Sequence, residues 1–196
     1  MIEINPLVIF FAAIFTNNMI LSNFLGMCSF IAISSEIKTS LSLGQAVTFV
    51  LTFTTLLNYI VYHKVIVPLG LEHLRYIVFI IIIAAFVQLV EMIIDRYFQT
   101  LYYALGIFLP LITVNCAILG VSLFMIIRDY TLLQSLAFGF GSGIGWTLAI
   151  VTMAGIRKKI KNNPLPKGLE GPGITLIITG LMALAFIGFS GIVQIQ

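Results

Sequence analysis

The chain has 196 residues, of which 60% are hydrophobic and only 9% charged, with a mean hydropathy of +1.14. Soluble domains carry about 25% charged residues, so an ordinary soluble enzyme is excluded. Ten Lys and Arg against seven Asp and Glu leave a formal charge of +3, too small an excess to indicate nucleic-acid binding. The composition is that of an integral membrane protein.

A helix needs about 20 mostly apolar residues to cross a bilayer. Six segments meet that requirement, near 6–34, 44–62, 76–94, 101–127, 132–155 and 174–193. The first opens with "MIEINPLVIFF", which lacks the basic start and small-residue cleavage site of a secretory signal, so it is expected to remain as a permanent helix. The first and fourth segments are longer than a span requires, and both contain helix-weakening residues. These are Asn17, Asn18, Asn23 and Gly26 in one, and Gly106, Pro110, Asn115 and Gly120 in the other. Proline removes a backbone donor and clashes with the preceding turn. Each of these segments is therefore expected to be two half-helices meeting inside the membrane, where only protein or a cavity can surround irregular backbone.

The second connection holds His63 and His73, whose spacing matches no metal-ligand pattern. The third segment ends in "LVEMIIDRYF". An acid at membrane depth is costly and marks a functional candidate, so Glu91 is a candidate ion-path residue. Its alternative is a helix-end acid reaching outward, and Asp95 is read as interfacial. In the fifth, "FGFGSGIGW" places Gly139, Gly141, Gly143 and Gly145 for close helix approach. It is not a nucleotide loop, since no strand precedes it.

Basic residues concentrate after helices one, three and five: Lys38, Arg96, Arg157, Lys158, Lys159, Lys161 and Lys167. Only Lys64, Arg75 and Arg128 follow helices two and four. The positive-inside rule then places both termini outside. Helices one and four run in opposite directions. The expected fold is an all-α, six-helix membrane bundle, a single transmembrane domain over 1–196. It consists of two inverted three-helix repeats, about 5–95 and 100–193, with helices one and four broken. Such architectures place sites near the midplane, at the discontinuous helices.

The two cysteines fall in those two helices: Cys28 in "FLGMCSFIAIS" and Cys116 in "VNCAILGVS". A serine follows each by six positions, Ser34 and Ser122. Free cysteine usually packs as a small hydrophobe, but matched placement makes this pair a candidate site. Two thiols approaching from opposite ends of the fold are not expected to form a disulfide. Iron–sulfur clusters of the [2Fe–2S] type usually take four thiolates, so this chain offers half a site and a related subunit would supply the rest. Half-helix N-termini beside the cysteines would stabilise anionic sulfur.

The stretches "FLGMCSF" and "ALGIFLPLITVNCAILGVSL" resemble a family of membrane proteins from two ion-pumping redox complexes. These are the E-type subunit of the sodium-translocating NADH:quinone oxidoreductase (Nqr) and the A-type subunit of the Rnf ferredoxin:NAD oxidoreductase. "NNMILSNFLG", "VQLVEM", "LAIVTMAGIRKKI" and "ITGLMALAFIGFSG" carry the likeness along residues 15–193. It implies six helices in two inverted halves, in a bacterial cytoplasmic membrane. It also implies a homologous six-helix partner, D-type in Nqr or E-type in Rnf, and a [2Fe–2S] cluster held between the two. Cys28 and Cys116 would be this chain's iron ligands, while flavins and other clusters would reside in partner subunits. The chain would act only within the oxidoreductase complex, passing electrons across the membrane with coupled Na+ or H+ movement.

Met27, "TVNCAI" and Trp146 resemble Nqr, and Ser29 stands where Rnf proteins commonly have proline. The compact "HKVIVPLGLEHLRYIV" connection and the ending "GFSGIVQIQ" resemble Rnf. With loop length weighted above point differences, the expectation is an Rnf-type subunit, with the E-type subunit of Nqr as the alternative. A non-redox secondary transporter and a packing scaffold are the readings from other classes.

Overall fold

The computed structural model describes residues 5–97, 112–113, 115–161 and 171–188, and every regular element among them is helical. Helix α1 (Pro6–Ile14) starts behind Asn5, whose side-chain oxygen accepts from the Leu7 amide at 3.1 Å. Helix α2 (Met27–Ile33) is short, and α3 (Ile37–Val61) continues through a π-turn (Tyr62–Ile66) and a last turn (Val67–Leu69). Helices α4 (Arg75–Tyr97), α5 (Cys116–Ile127), α6 (Leu132–Ile160) and α7 (Pro172–Ile187) follow. The stretches Ile37–Leu69, Glu72–Tyr97 and Leu132–Ile160 are each long and apolar enough to cross a membrane, while α5 and α7 are shorter apolar helices. Gly106, Pro110, Lys167 and residues 189–193 lie outside the described residues.

The first expected span is broken. α1 stops at Ile14, α2 begins at Met27, and residues 15–26 between them form turns and irregular backbone. In lipid such a break leaves backbone groups with nothing to bond. Asn18, fully buried, takes over that task. Its Nδ2 donates to the carbonyls of Ile14 (3.1 Å) and Gly145 (2.8 Å), and its Oδ1 accepts from the amides of Ile20 (3.1 Å) and Leu21 (3.4 Å). One side-chain amide has two donors and two acceptor positions, and all are used. Helix α5 begins at the second cysteine, where Asn115 has extended backbone and caps it, its Oδ1 accepting from the Ala117 amide at 3.1 Å, while residues 101–111 of the fourth segment lie outside the described residues.

The second span is longer than its apolar run. It starts at Ile37 rather than 44, because Ser40 Oγ donates to the Ile33 carbonyl (3.1 Å) and ties the polar first turns back onto the end of α2. At its far end the helix continues past His63 and Lys64, both exposed, before Gly70 ends it in the left-handed region at φ +65°.

Helices α3 and α6 form the scaffold. They run antiparallel: Gly44 faces Thr147, Gly143 faces Thr48, and Gly139 faces Thr55. A Cβ on Gly143 would lie 2.7 Å from Thr48 Cα, so the two backbones nearly touch there. Thr48 and Thr147 Oγ1 atoms are 3.2 Å apart across the contact. Helix α1 runs along α6 on its other side, with Ala13 against both Gly141 and Gly145. The buried faces of the two long helices share one register. Each of the nine buried positions of α3 has a buried counterpart at constant spacing in α6, for example Ser40 with Ser135, Gly44 with Gly139, Leu51 with Trp146 and Asn58 with Met153. Thr48 and Gly143, where the backbones nearly touch, are counterparts under the same spacing.

Helix α4 is carried more loosely. It buries only Phe79, Ile83 and Val87, while Ile77, Ile80, Ile81, Leu89 and Met92 on its other faces are exposed.

The Gly143–Thr48 contact has a direct test. Gly143→Leu has no space against the Thr48 backbone, and overpacking of this kind costs about 1–3 kcal/mol or more. A clear fall in the thermal midpoint of the detergent-purified protein is expected. Gly155→Leu, where nothing lies within 4 Å of a Cβ, should leave the midpoint nearly unchanged.

Candidate functional site

The backbone beside one cysteine reaches the other. Gly26, immediately before α2, donates its backbone N–H to Cys116 Sγ at 2.9 Å, and Cys28 is the second residue of the helix that Gly26 caps. The broken backbone after α1 folds back so that its glycine rests on the start of α5. Both cysteines are free, and both lie on the chain's surface rather than in its core.

Gly26 makes this approach possible in two ways. Its φ is +84°, a region that L side chains rarely occupy. A Cβ there would also lie 2.8 Å from Trp146 Nε1, 2.9 Å from Asn115 Oδ1 and 3.2 Å from Ala117 Cβ. The neighbouring Leu25 side chain packs directly over Gly120 of α5. Phe24, also at positive φ (+56°), projects outward and is 57% exposed.

Hydrogen-bond donors surround the Cys116 sulfur. Cys116 is the first residue of α5, where the unpaired amides of a helix start favour negative charge. Two buried donors beside Gly26, Asn115 Nδ2 and Trp146 Nε1, have no hydrogen-bond partner among the described residues. Trp146 is wholly buried, midway along α6. Among the described residues no group of three or more His, Cys, Asp or Glu could hold a metal by itself. Two exposed cysteines therefore fit half of a four-thiolate site, and not a whole one.

Each serine that follows a cysteine by six positions is held from a long helix. Arg157 of α6 donates through Nη1 to Ser34 Oγ (2.8 Å) and to the Ile31 carbonyl (3.1 Å), at the end of α2. Asn58 of α3 donates through Nδ2 to Ser122 Oγ (2.8 Å), inside α5. In the sequence Arg157 reads as part of a basic loop that sets topology and could meet acidic partner surfaces, and Asn58 does not stand out. The shared cysteine-to-serine spacing is the signal that points to both.

Glu91 is half-buried on α4 and continues the four-residue stripe of Phe79, Ile83 and Val87. The structure does not join it to the cysteines, and Asp95, one turn on, is exposed. Gly139, Gly141, Gly143 and Gly145 are the packing residues their sequence suggests.

Residues 7–193 match the family described as "Rnf-Nqr subunit, membrane protein". This chain belongs to that family. It is 53% identical over 194 residues to the E-type subunit of the Na(+)-translocating NADH-quinone reductase from Psychromonas ingrahamii, with 94% of this chain and 96% of that protein covered. The likeness corrects the preference for the Rnf branch. That preference rests on the compact second connection, but changes in loop length are tolerated at small cost, whereas this identity spans almost the whole chain. In this Rnf-Nqr membrane protein both cysteines are exposed, and the backbone two residues before Cys28 bonds Cys116.

Gly26→Ala should be costly. Left-handed backbone at a non-glycine residue costs roughly 1–2 kcal/mol, and the contacts with Asn115 and Trp146 add overpacking of about 1–3 kcal/mol. Gly70→Ala has the positive φ without the contacts and should cost only the first part. Paired thermal or denaturant midpoints would show the difference.

Proposed function

We propose that this chain is the E-type membrane subunit of a sodium-translocating NADH:quinone oxidoreductase in a bacterial cytoplasmic membrane. On this reading, Cys28 and Cys116 are its two ligands to a [2Fe–2S] cluster shared with a homologous six-helix subunit. The observation that carries the reading is the Gly26 N–H bond to Cys116 Sγ, which ties the backbone beside one exposed cysteine to the other. The E-type relative from Psychromonas ingrahamii supports the same branch.

When bound, such a cluster takes up and releases single electrons. The chain's own residues supply the setting. The Gly26 amide holds the Cys116 sulfur at the first turn of α5, and buried Trp146 stands behind Gly26. Flavins and further clusters belong to partner subunits, and the chain has no activity alone.

The proposal includes two inverted three-helix halves with both termini outside. The shared register of α3 and α6 and their antiparallel crossing at Thr48 and Gly143 support it. Coupled Na+ movement would involve a separate part of the bundle, with Glu91 as the candidate residue, since a half-buried acid on a membrane helix is costly to keep without use. A non-redox transporter would have no need for paired surface thiols braced by buried partners.

Co-expression with the homologous subunit, followed by iron assay and EPR, tests this reading. The expected result is about two irons per subunit pair and a [2Fe–2S] signal, lost in both Cys28→Ser and Cys116→Ser while the pair still assembles. An unchanged spectrum in either variant would overturn the ligand assignment.

A further inference from the structure

The two cysteine-bearing helices are braced in a crossed pattern. Helix α2, which carries Cys28, is held at Ser34 and Ile31 by Arg157 of α6. Helix α5, which carries Cys116, is held at Ser122 by Asn58 of α3. Each brace ends on the serine six residues after the cysteine, and each comes from the long helix of the opposite half of the chain. Both serines are fully buried, so neither hydroxyl exchanges its partner for water.

We propose that Ser34 with Arg157, and Ser122 with Asn58, are positioning pairs that fix the two sulfurs relative to the α3/α6 scaffold. The proposal rests on the cluster reading for its consequence, but the bracing itself does not. Helix α2 is seven residues long and is flanked by irregular backbone on both sides. Short helices are marginal without tertiary support. Arg157 contributes two charge-assisted bonds at the end where α2 has unpaired carbonyls, so it sets how far α2 can turn or slide. A turn of α2 would carry Cys28 with it. Asn58 acts differently. Its bond to Ser122 is neutral, fully buried and in the middle of α5, and Ser122 also donates to the Ile118 carbonyl at 3.1 Å. The α5 brace is the firmer anchor, and the α2 brace is the adjustable one, since Arg157 is half-buried while Asn58 is wholly enclosed.

The test uses the assembled complex with Arg157→Ala, Arg157→Lys and Ser122→Ala, and Thr52→Ala as a control elsewhere on α3. Two measurements are made on each: hydrogen exchange of the α2 amides, and the EPR line shape and midpoint potential of the cluster. Loss of a hydrogen bond to a charged group changes a local opening equilibrium by about tenfold or more. Exchange at Phe30 to Ser34 is therefore expected to rise about tenfold in Arg157→Ala, to recover in part in Arg157→Lys, and to stay at the wild-type rate in Thr52→Ala. In parallel, the EPR line shape should broaden and the potential shift in Arg157→Ala and Ser122→Ala with iron retained. Unchanged α2 exchange in Arg157→Ala would overturn the brace, whatever the cluster does. Faster exchange with an unmoved EPR signal would overturn its positioning role. A wild-type complex without any cluster signal would instead overturn the cluster reading and leave the exchange result to decide the brace.

Discussion

The structure depends on how closely α3 and α6 approach. In a bilayer there is no hydrophobic gain from bringing two apolar helices together, so association relies on van der Waals contact and interhelical hydrogen bonds. Gly44, Gly139 and Gly143 remove side chains where the helices cross, and Thr48, Thr55 and Thr147 fill the space. The threonine hydroxyls stay satisfied by bonding to carbonyls one turn back, Thr48 to Gly44 and Thr147 to Gly143. The contact is thus dense without leaving these hydroxyls stranded. α1 then packs on the glycines along the other side of α6, and the backbone just beyond its end is fixed by Asn18 on the Gly145 carbonyl.

That fixed end determines where the cysteines lie. A continuous first helix would carry residues 15–26 through the bilayer as ordinary turns and keep Gly26 away from α5. Breaking it at Ile14 lets the chain fold across, and Asn18 makes the break tolerable by bonding four backbone groups at once. The same device appears at the other cysteine, where Asn115 caps α5 directly before Cys116. Arg128 closes the far end. Its guanidinium lies over the rings of Phe124 and Phe138 and donates to Tyr130 Oη at 3.2 Å. With the Asn17 amide oxygen turned towards it, the same group makes bonds of 2.8 and 2.7 Å back to the turn that follows α1.

Much of this is legible in the sequence, for identifiable reasons. Long apolar runs with charged gaps locate membrane helices because lipid tolerates little else, and the asparagines and glycine of residues 17–26 mark the first break correctly. The glycines of "FGFGSGIGW" read as packing residues because only small side chains allow such approach. What escapes the sequence is whatever depends on folding at a distance. Nothing local shows that Gly26 meets Cys116, 90 positions away, or that Arg157, in a run of basic residues, turns inward while Lys158 and Lys159 are exposed. The limits of α3 escape it because a polar first turn, tied down by Ser40, extends beyond the apolar stretch that hydropathy detects. Loop length is a poor guide to the branch because the connection is nearly all helix: only Gly70 and Leu71 separate the end of α3 from the turn Glu72–Leu74.

The matched spacing of cysteine and serine meets a shared constraint. A half-helix ending inside the bundle must be held at its far end, or its first residue is free to move. Six residues from Cys28 is the C-terminal cap of α2, and six from Cys116 is the middle of α5, so equal spacing meets two different local structures. What the two places share is a neighbour, a long helix from the other half. Asn58 of α3 and Arg157 of α6 each point a donor at one of these helices. Such a donor then needs a hydroxyl opposite it, since an unpaired buried donor costs about 1–3 kcal/mol. Asn58 and Arg157 are not counterparts in the α3/α6 register, where Asn58 answers to Met153, so each serine answers its own donor and the equal spacing joins two unlike braces.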